Sequence, residues 1–335
     1  MTSDGKMPEP FLLSPAGKDY LWGGNRLKKN FGKNLPMDTL AETWECSTHP
    51  DGPSIVASGD LCGKTLTEVI REHPEYLGAH AAKTARRIGA DGLPILIKFI
   101  DAKYDLSIQV HPDDVYAFSH EGQPGKTEMW YVMDAEPGAR LVYGFHQSTD
   151  KDTIREAIHN GSLMKYLNKV GIRKDDVFLI RSGTVHAIGA GSLLAEIQEN
   201  SNLTYRLYDY ERLDKDGKKR ELHVEEALRV SDLGAADELR QPLRVLRYRR
   251  GMASELLCRC EYFEVQRMLL NNEGRPYELK TDELSFQVLL CMEGNGQLEF
   301  QKENLKFKAG RCVFIPAGTK NIQLTGKAQM LLIIC

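Results

Sequence analysis

Four polar residues, far apart in the chain, have the types needed to hold a metal ion. Gln109 and His111 are two apart, so on a strand they share one face, with Cα atoms roughly 7 Å apart. Pro112 ends that ladder. Glu128 opens the apolar run Met129 to Met133, and a carboxylate that turns inward there needs a partner. His186 lies in the turn Gly183-Thr-Val-His-Ala-Ile-Gly189. Any one of them alone is more often a core, turn or surface residue than a ligand. On separate elements of one small β-barrel they make a four-ligand set. Two imidazoles, one carboxylate and one amide oxygen suit zinc or another borderline divalent ion. With a single anionic ligand, the ion keeps net positive charge and stays a Lewis acid. No cysteine belongs to the set, which points to an open site rather than a closed structural one.

Cations lie close to these ligands in the chain. Lys98 sits inside the apolar run Leu96 to Ile100, as a strand-edge snorkeller or as an inward functional group. Lys126 is two before Glu128 and shares its face on a strand. In Leu203 to Tyr210, alternation puts Arg206 with Thr204 and Tyr208, and Arg212 follows six residues later. Singly, such residues are usually solvated surface. Around a metal they predict an anionic substrate, because phosphate favours Arg forks and Lys point charges.

The elements that must position these residues are mostly strands. Leu93 to Ala102, Leu106 to His111, Met129 to Met133, Arg140 to Phe145, Asp176 to Ile180 and Leu193 to Ile197 read as strands. Helical pattern is predicted for about 63–90, with Thr65 or Thr67 as cap and Glu68 completing a capping box with Thr65. A second helical insertion is predicted over about 149–169, and a short helix over Glu221 to Val230. Residues 1–60 read as irregular. A charged linker, Arg212 to Arg220, closes the first unit. The second runs from about Arg247 to Cys335, with strands at Tyr262 to Leu270, Leu284 to Cys291, Gly296 to Gln301, Cys312 to Ile315 and Ala328 to Ile334. A weak internal repeat matches Asp176 to His186 with Cys312 to Asn321, which suggests two related units of which only the first keeps a metal ligand.

Composition narrows the function classes. A net charge of −3 over 335 residues gives no reason to expect nucleic-acid or acidic-membrane binding. The seven cysteines are odd in number and irregular in spacing, which argues against a disulfide framework; Cys258 and Cys260 read as packing residues. The first ten residues are polar and predict no signal peptide, and the most apolar run, Leu93 to Ile100, is far too short to span a bilayer. The expectation is a reduced, cytoplasmic protein with no obligate protein partner.

Several stretches together resemble the type I mannose-6-phosphate isomerases in their short bacterial form. They are Tyr20-Leu-Trp-Gly-Gly24, Glu42-Thr-Trp-Glu-Cys-Ser47, Pro94-Ile-Leu-Ile-Lys98, Leu106-Ser-Ile-Gln-Val-His-Pro-Asp113, Gly125-Lys-Thr-Glu-Met-Trp130, Gly183-Thr-Val-His-Ala-Ile188 and Glu196 to Arg206. The resemblance implies a mainly β fold with helical insertions, made of two cupin-like jelly-roll barrels. Residues 1–240 would be the metal-binding catalytic domain, and 241–335 a degenerate cupin without metal ligands. It implies one zinc per chain on Gln109, His111, Glu128 and His186, and Arg206 as catalytic arginine. Ser107, Lys98, Lys126, Glu196 and Arg212 would line the substrate pocket, with Glu196 or Lys126 as general base. The implied reaction interconverts mannose 6-phosphate and fructose 6-phosphate through a cis-enediol. Two other readings use the same residues. His111, Glu128 and His186 alone satisfy a ferrous oxygenase triad, and a non-catalytic sugar-phosphate-binding cupin would keep the pocket.

Overall fold

The computed structural model describes residues 7–213, 216–237, 244–272, 274–301 and 303–335. The expected domain boundary at 240/241 and part of the charged linker lie outside the described residues.

The fold is mainly β, arranged as open antiparallel sheets that face one another rather than closed barrels. One sheet has six strands in the order Val177–Ile180, Glu128–Ala135, Ser192–Glu199, Ile95–Ala102, Glu42–Cys46 and Ala16–Lys18. The sheet opposite has five, in the order Tyr205–Tyr208, Ile108–Val110, His186–Ile188, Arg140–Phe145 and Leu167–Gly171. Trp22, Ile100, Trp130, Leu141, Phe178 and Ile188 form the core between them. Ile95–Ala102 is buried along its whole length, which is why its sequence is nearly continuous in apolar residues. Ile95, Ile97 and Phe99 pack towards the C-terminal sheet. Alternation then turns Lys98 and Ile100 towards the five-stranded sheet, where both line a cavity.

The C-terminal part is a ten-stranded sheet built around Gln287–Phe300 and Ile322–Ile334, its two longest strands. Residues 1–60 are more ordered than expected. Phe11–Ser14 pairs with Cys312–Ile315, and Ile55–Val56 extends the same sheet beyond it. Glu42–Cys46 and Ala16–Lys18 complete the six-stranded sheet. These short strands carry little local signal, because their partners lie far along the chain. Phe11 stacks on Phe314, and Phe314 on Phe286, with ring centroids 5.2 Å apart in both pairs.

The helical region near 63–90 resolves into Leu66–Glu72, a 3-10 turn Pro74–Leu77, and Ala79–Arg87. Thr65 is the cap of the first, and the Thr65–Glu68 capping box is formed on both sides. The predicted helix over 149–169 needs correction. Only Lys151–His159 is α-helical, and Leu167–Gly171 is a strand paired with Arg140–Phe145. Gly161, at φ 73°, breaks the helix. The apolar stripe beyond it stays in the same core, with Leu163 and Leu167 buried beside Ile154. In the C-terminal sheet the two strands expected around Leu284 to Gln301 are one strand with a bulge between Cys291 and Glu293. Strands Arg247–Arg249, Met252–Arg259, Tyr277–Leu279 and Glu303–Lys308 join it unforeseen. Both copies of the internal repeat run strand, left-handed glycine (Gly183 and Gly318) and return strand. No helix among the described residues is long and apolar enough to cross a membrane.

One buried ion pair ties the two parts together. Lys33 Nζ lies 2.6 Å from Glu45 Oε2 and also donates to the carbonyl of Gly310 in the C-terminal part. Glu45 is fully buried and accepts a second bond from Thr43 Oγ1 at 2.6 Å. Lys33→Met leaves that carboxylate without a counter-ion, so a loss of about 3–5 kcal/mol is expected in chemical denaturation. Adding Glu45→Leu to the same chain is expected to restore much of it.

Candidate metal centre and substrate cavity

Two cross-strand rows face each other across the sandwich. In the five-stranded sheet, Gln109 is paired with His186 on one side and Arg206 on the other. In the six-stranded sheet, Trp44, Lys98, Glu196 and Trp130 are paired in sequence across four strands. Gln198, two residues after Glu196, pairs with Glu128. Directly paired residues share a face, so register alone brings these dispersed side chains into one compartment.

His111, Glu128 and His186 converge, with donor atoms all within 4.8 Å of one another and each residue buried. His186 Nε2 is 3.3 Å from Glu128 Oε1, and His111 Nε2 is 3.7 Å from Glu128 Oε2. The far nitrogens are anchored: His111 Nδ1 bonds the Leu203 carbonyl and His186 Nδ1 the Thr184 carbonyl, both at 2.8 Å. That arrangement makes Nδ1 the proton-bearing atom and leaves the Nε2 lone pairs aimed at the centre. Gln109 Nε2 lies 3.4 Å from His186 Nε2, and its Oε1 accepts from Ser107 Oγ at 3.3 Å. Rotating the amide would present Oε1 to the centre instead.

These residues fit a divalent ion. Glu128 is 0% exposed, yet its Oε1 has no hydrogen-bond partner among the described residues. A buried, unsatisfied carboxylate oxygen between two imidazole lone pairs is costly unless a cation completes it. The Lys126 side chain reaches the same cluster. It contacts Glu128 Oε2 and lies 3.1 Å from His111 Nε2.

The titration behaviour follows from the same packing. Burial, then the charges of Lys126 and His186, holds His111 well below the usual imidazole value. Burial takes His186 down to about 4. Burial and the negative charge of Glu196 push Glu128 up to about 7. Glu196 goes the other way: burial would raise it, but Lys126 and Lys98 outweigh that and hold it at about 2.

A cavity of about 260 Å3 opens beside this cluster. Its wall includes Ser107, Gln109, Lys98, Lys126, Glu196 and Arg206. Lys98 Nζ lies 3.2 Å from Glu196 Oε1 and 3.8 Å from Glu42 Oε2, and Trp130 Nε1 donates to Glu196 Oε2 at 2.9 Å. Arg206 is held by neutral acceptors, Ser107 Oγ at 3.4 Å and the Glu221 carbonyl at 2.8 Å. Arg212, expected at the substrate, is not on this wall. It bonds the Asp105 carbonyl and the Asp209 carboxylate and stacks over Tyr210 at 5.2 Å. Arg220 and Glu42, neither singled out individually from the sequence, are on the wall. Alternation with Trp44 could have signalled Glu42, whose Oε2 accepts from the Trp44 indole at 2.8 Å.

Known proteins match this chain over nearly its full length. A model described as the type I phosphomannose isomerase catalytic domain matches residues 11–133, and one described as the mannose-6-phosphate isomerase cupin domain matches 254–335. The mannose-6-phosphate isomerase ManA of Bacillus subtilis is 35% identical, covering 96% of this chain and 97% of its own. The chain belongs to the type I phosphomannose isomerase family. The mannose-6-phosphate isomerase of Streptococcus mutans is 33% identical, over 97% of this chain and 98% of that one. The crystal structure of the Bacillus subtilis mannose 6-phosphate isomerase superposes with a TM-score of 0.87 at 34% identity, covering 97% of this chain and 99% of that one. The facing sheets are thus a cupin-type fold, and the chain is an enzyme of this isomerase family.

Binding a cation at the triad has a defined proton cost. Both imidazoles are neutral well below pH 7, whereas Glu128 without metal keeps its proton up to about 7. One proton, from Glu128, must therefore leave when the ion binds. Divalent-metal affinity of the metal-free protein is expected to rise about tenfold per unit as pH climbs towards 7, then to flatten. Competition with a chromophoric chelator at several pH values measures this. Glu128→Gln is expected to abolish both the slope and tight binding.

Proposed function

We propose that this phosphomannose isomerase interconverts mannose 6-phosphate and fructose 6-phosphate through a cis-enediol, with one zinc ion per chain held by Gln109, His111, Glu128 and His186. The observation that carries this reading is the orphaned Glu128 oxygen between two imidazoles, beside a cavity lined by Lys98, Lys126, Arg206 and Arg220. The ligands are the combination that suits zinc. When bound, the ion supplies Lewis-acid stabilisation of negative charge on the sugar oxygens O1 and O2.

The chain's own residues handle the protons and the charge. Glu196 is ionised at neutral pH, with one oxygen held by Trp130 and the other facing Lys98 and Lys126. It takes the proton from C2 of the aldose and returns it to C1, and the reverse in the other direction. Lys126, whose Nζ is 3.9 Å from Glu196 Oε1, exchanges the hydroxyl proton with the enediol oxygens. Arg206 adds positive potential over the same wall, where enediolate charge develops. Ser107 Oγ accepts from Arg206 Nε and positions the guanidinium.

A coupled assay for fructose 6-phosphate is expected to lose its signal with chelator and regain it with zinc. Glu196→Gln and Lys126→Met should each lower kcat by about 10²–10⁴-fold. Near-normal turnover in both variants would remove the acid–base assignment.

A further inference from the structure

Resting on the proposed reaction, we propose that Arg220 is the cation that grips the substrate's phosphate, held in place for that purpose by Asp209. The bonded residues run outward from the metal centre in a definite order. Gln109 accepts from Ser107, Ser107 accepts from Arg206, and Arg206 Nη1 donates to the carbonyl of Glu221, the residue next to Arg220. His223 reinforces this: its backbone N–H donates to the Arg206 carbonyl at 2.8 Å, and its Nδ1 accepts from the Arg206 N–H at 3.3 Å. Arg220, next to Glu221, is thus the outermost of these residues in the bonded order, and it lies on the cavity wall. A hexose phosphate with C1 and C2 at the metal carries its phosphate on C6, at the opposite end.

Positive charge is in excess at that end. Asp209 is 5% exposed and takes two guanidiniums: Arg220 Nε donates to its Oδ2 at 2.7 Å, while Arg220 Nη2 and Arg212 Nη2 share its Oδ1. One carboxylate thus serves two arginines, and among the described residues the Arg206 guanidinium beside them is bonded to a hydroxyl and a carbonyl. Arg220 Nη1 has no protein acceptor among the described residues, and its side chain stays 27% exposed on the cavity wall. Arg212 spends its donors on Asp209 and the Asp105 carbonyl. The fork geometry of the Asp209 pair fixes the Arg220 guanidinium plane, so a phosphate meets a pre-ordered donor rather than a flexible one. Since the phosphate does not react, this binding is uniform between ground and transition states and acts chiefly on KM.

The test compares Arg220→Gln, Arg220→Lys and Arg212→Gln with the unaltered holoenzyme. Arg220→Gln is expected to raise KM for mannose 6-phosphate about tenfold or more, with the larger part of the loss in KM rather than kcat. Arg220→Lys, which keeps the charge but loses the fork, should fall between. Inorganic phosphate, titrated calorimetrically, is the second probe: its affinity should drop by a similar factor in Arg220→Gln. If Arg212→Gln weakens substrate and phosphate more than Arg220→Gln does, or if Arg220→Gln changes neither, the assignment is overturned. A holoenzyme that binds phosphate through Arg220 but turns over no mannose 6-phosphate would instead sink the proposed reaction. Thermal unfolding of each variant separates misfolding from lost binding.

Discussion

A carboxylate without water has to be paired, and the interior between the two facing sheets contains three of them. Glu42, Glu128 and Glu196 are buried, and desolvation of a charged group costs several kcal/mol unless neighbours repay it. Lys98 sits between Glu42 and Glu196, and Lys126 between Glu196 and Glu128. The alternation of acid and base leaves Glu128 Oε1 without a hydrogen-bond donor among the described residues. That residual need for positive charge is what fits the compartment to hold a cation.

The surrounding architecture serves this compensation. Strand Ile95–Ala102 is the clearest case, since it divides two cores. Ile95, Ile97 and Phe99 join the sandwich to the C-terminal sheet, and on its other side Lys98 stands between two acids. The backing layer holds the polar row still. Trp44 and Trp130 fill the row's ends and use their indole N–H groups to fix one oxygen each of Glu42 and Glu196. Large buried rings with one satisfied polar atom are well suited to that task. The C-terminal sheet buries the far side of the six-stranded sheet, which carries Glu128, Lys98 and Glu196.

Positive charge also lines the cavity. Lys126 engages the acid of the His-Glu-His triad, Lys98 lies between Glu196 and Glu42, Arg206 stands beside Gln109, and Arg220 is held on Asp209. Lysine ammonium groups are compact and transfer protons, whereas guanidinium forks match phosphate oxygens.

The sequence by itself determined the residue types of the centre and the class of fold. The residues that converge in the triad, His111, Glu128 and His186, were legible because strand alternation and turn chemistry are local, and the strands Arg140–Phe145 and Cys312–Ile315 were legible for the same reason. Helix Leu66–Glu72 announced itself by its capping box. Only the tertiary structure decided register and long-range pairing. It put Trp44, Lys98, Glu196 and Trp130 in one row, carried Phe11–Ser14 to the far sheet, and turned Leu167–Gly171 from helix to strand. It also put Arg220 rather than Arg212 on the cavity wall: Asp209 bonds both guanidiniums, and the Asp105 carbonyl takes a further donor of Arg212. Such choices depend on contacts between residues distant in the chain, whose energies no local pattern encodes.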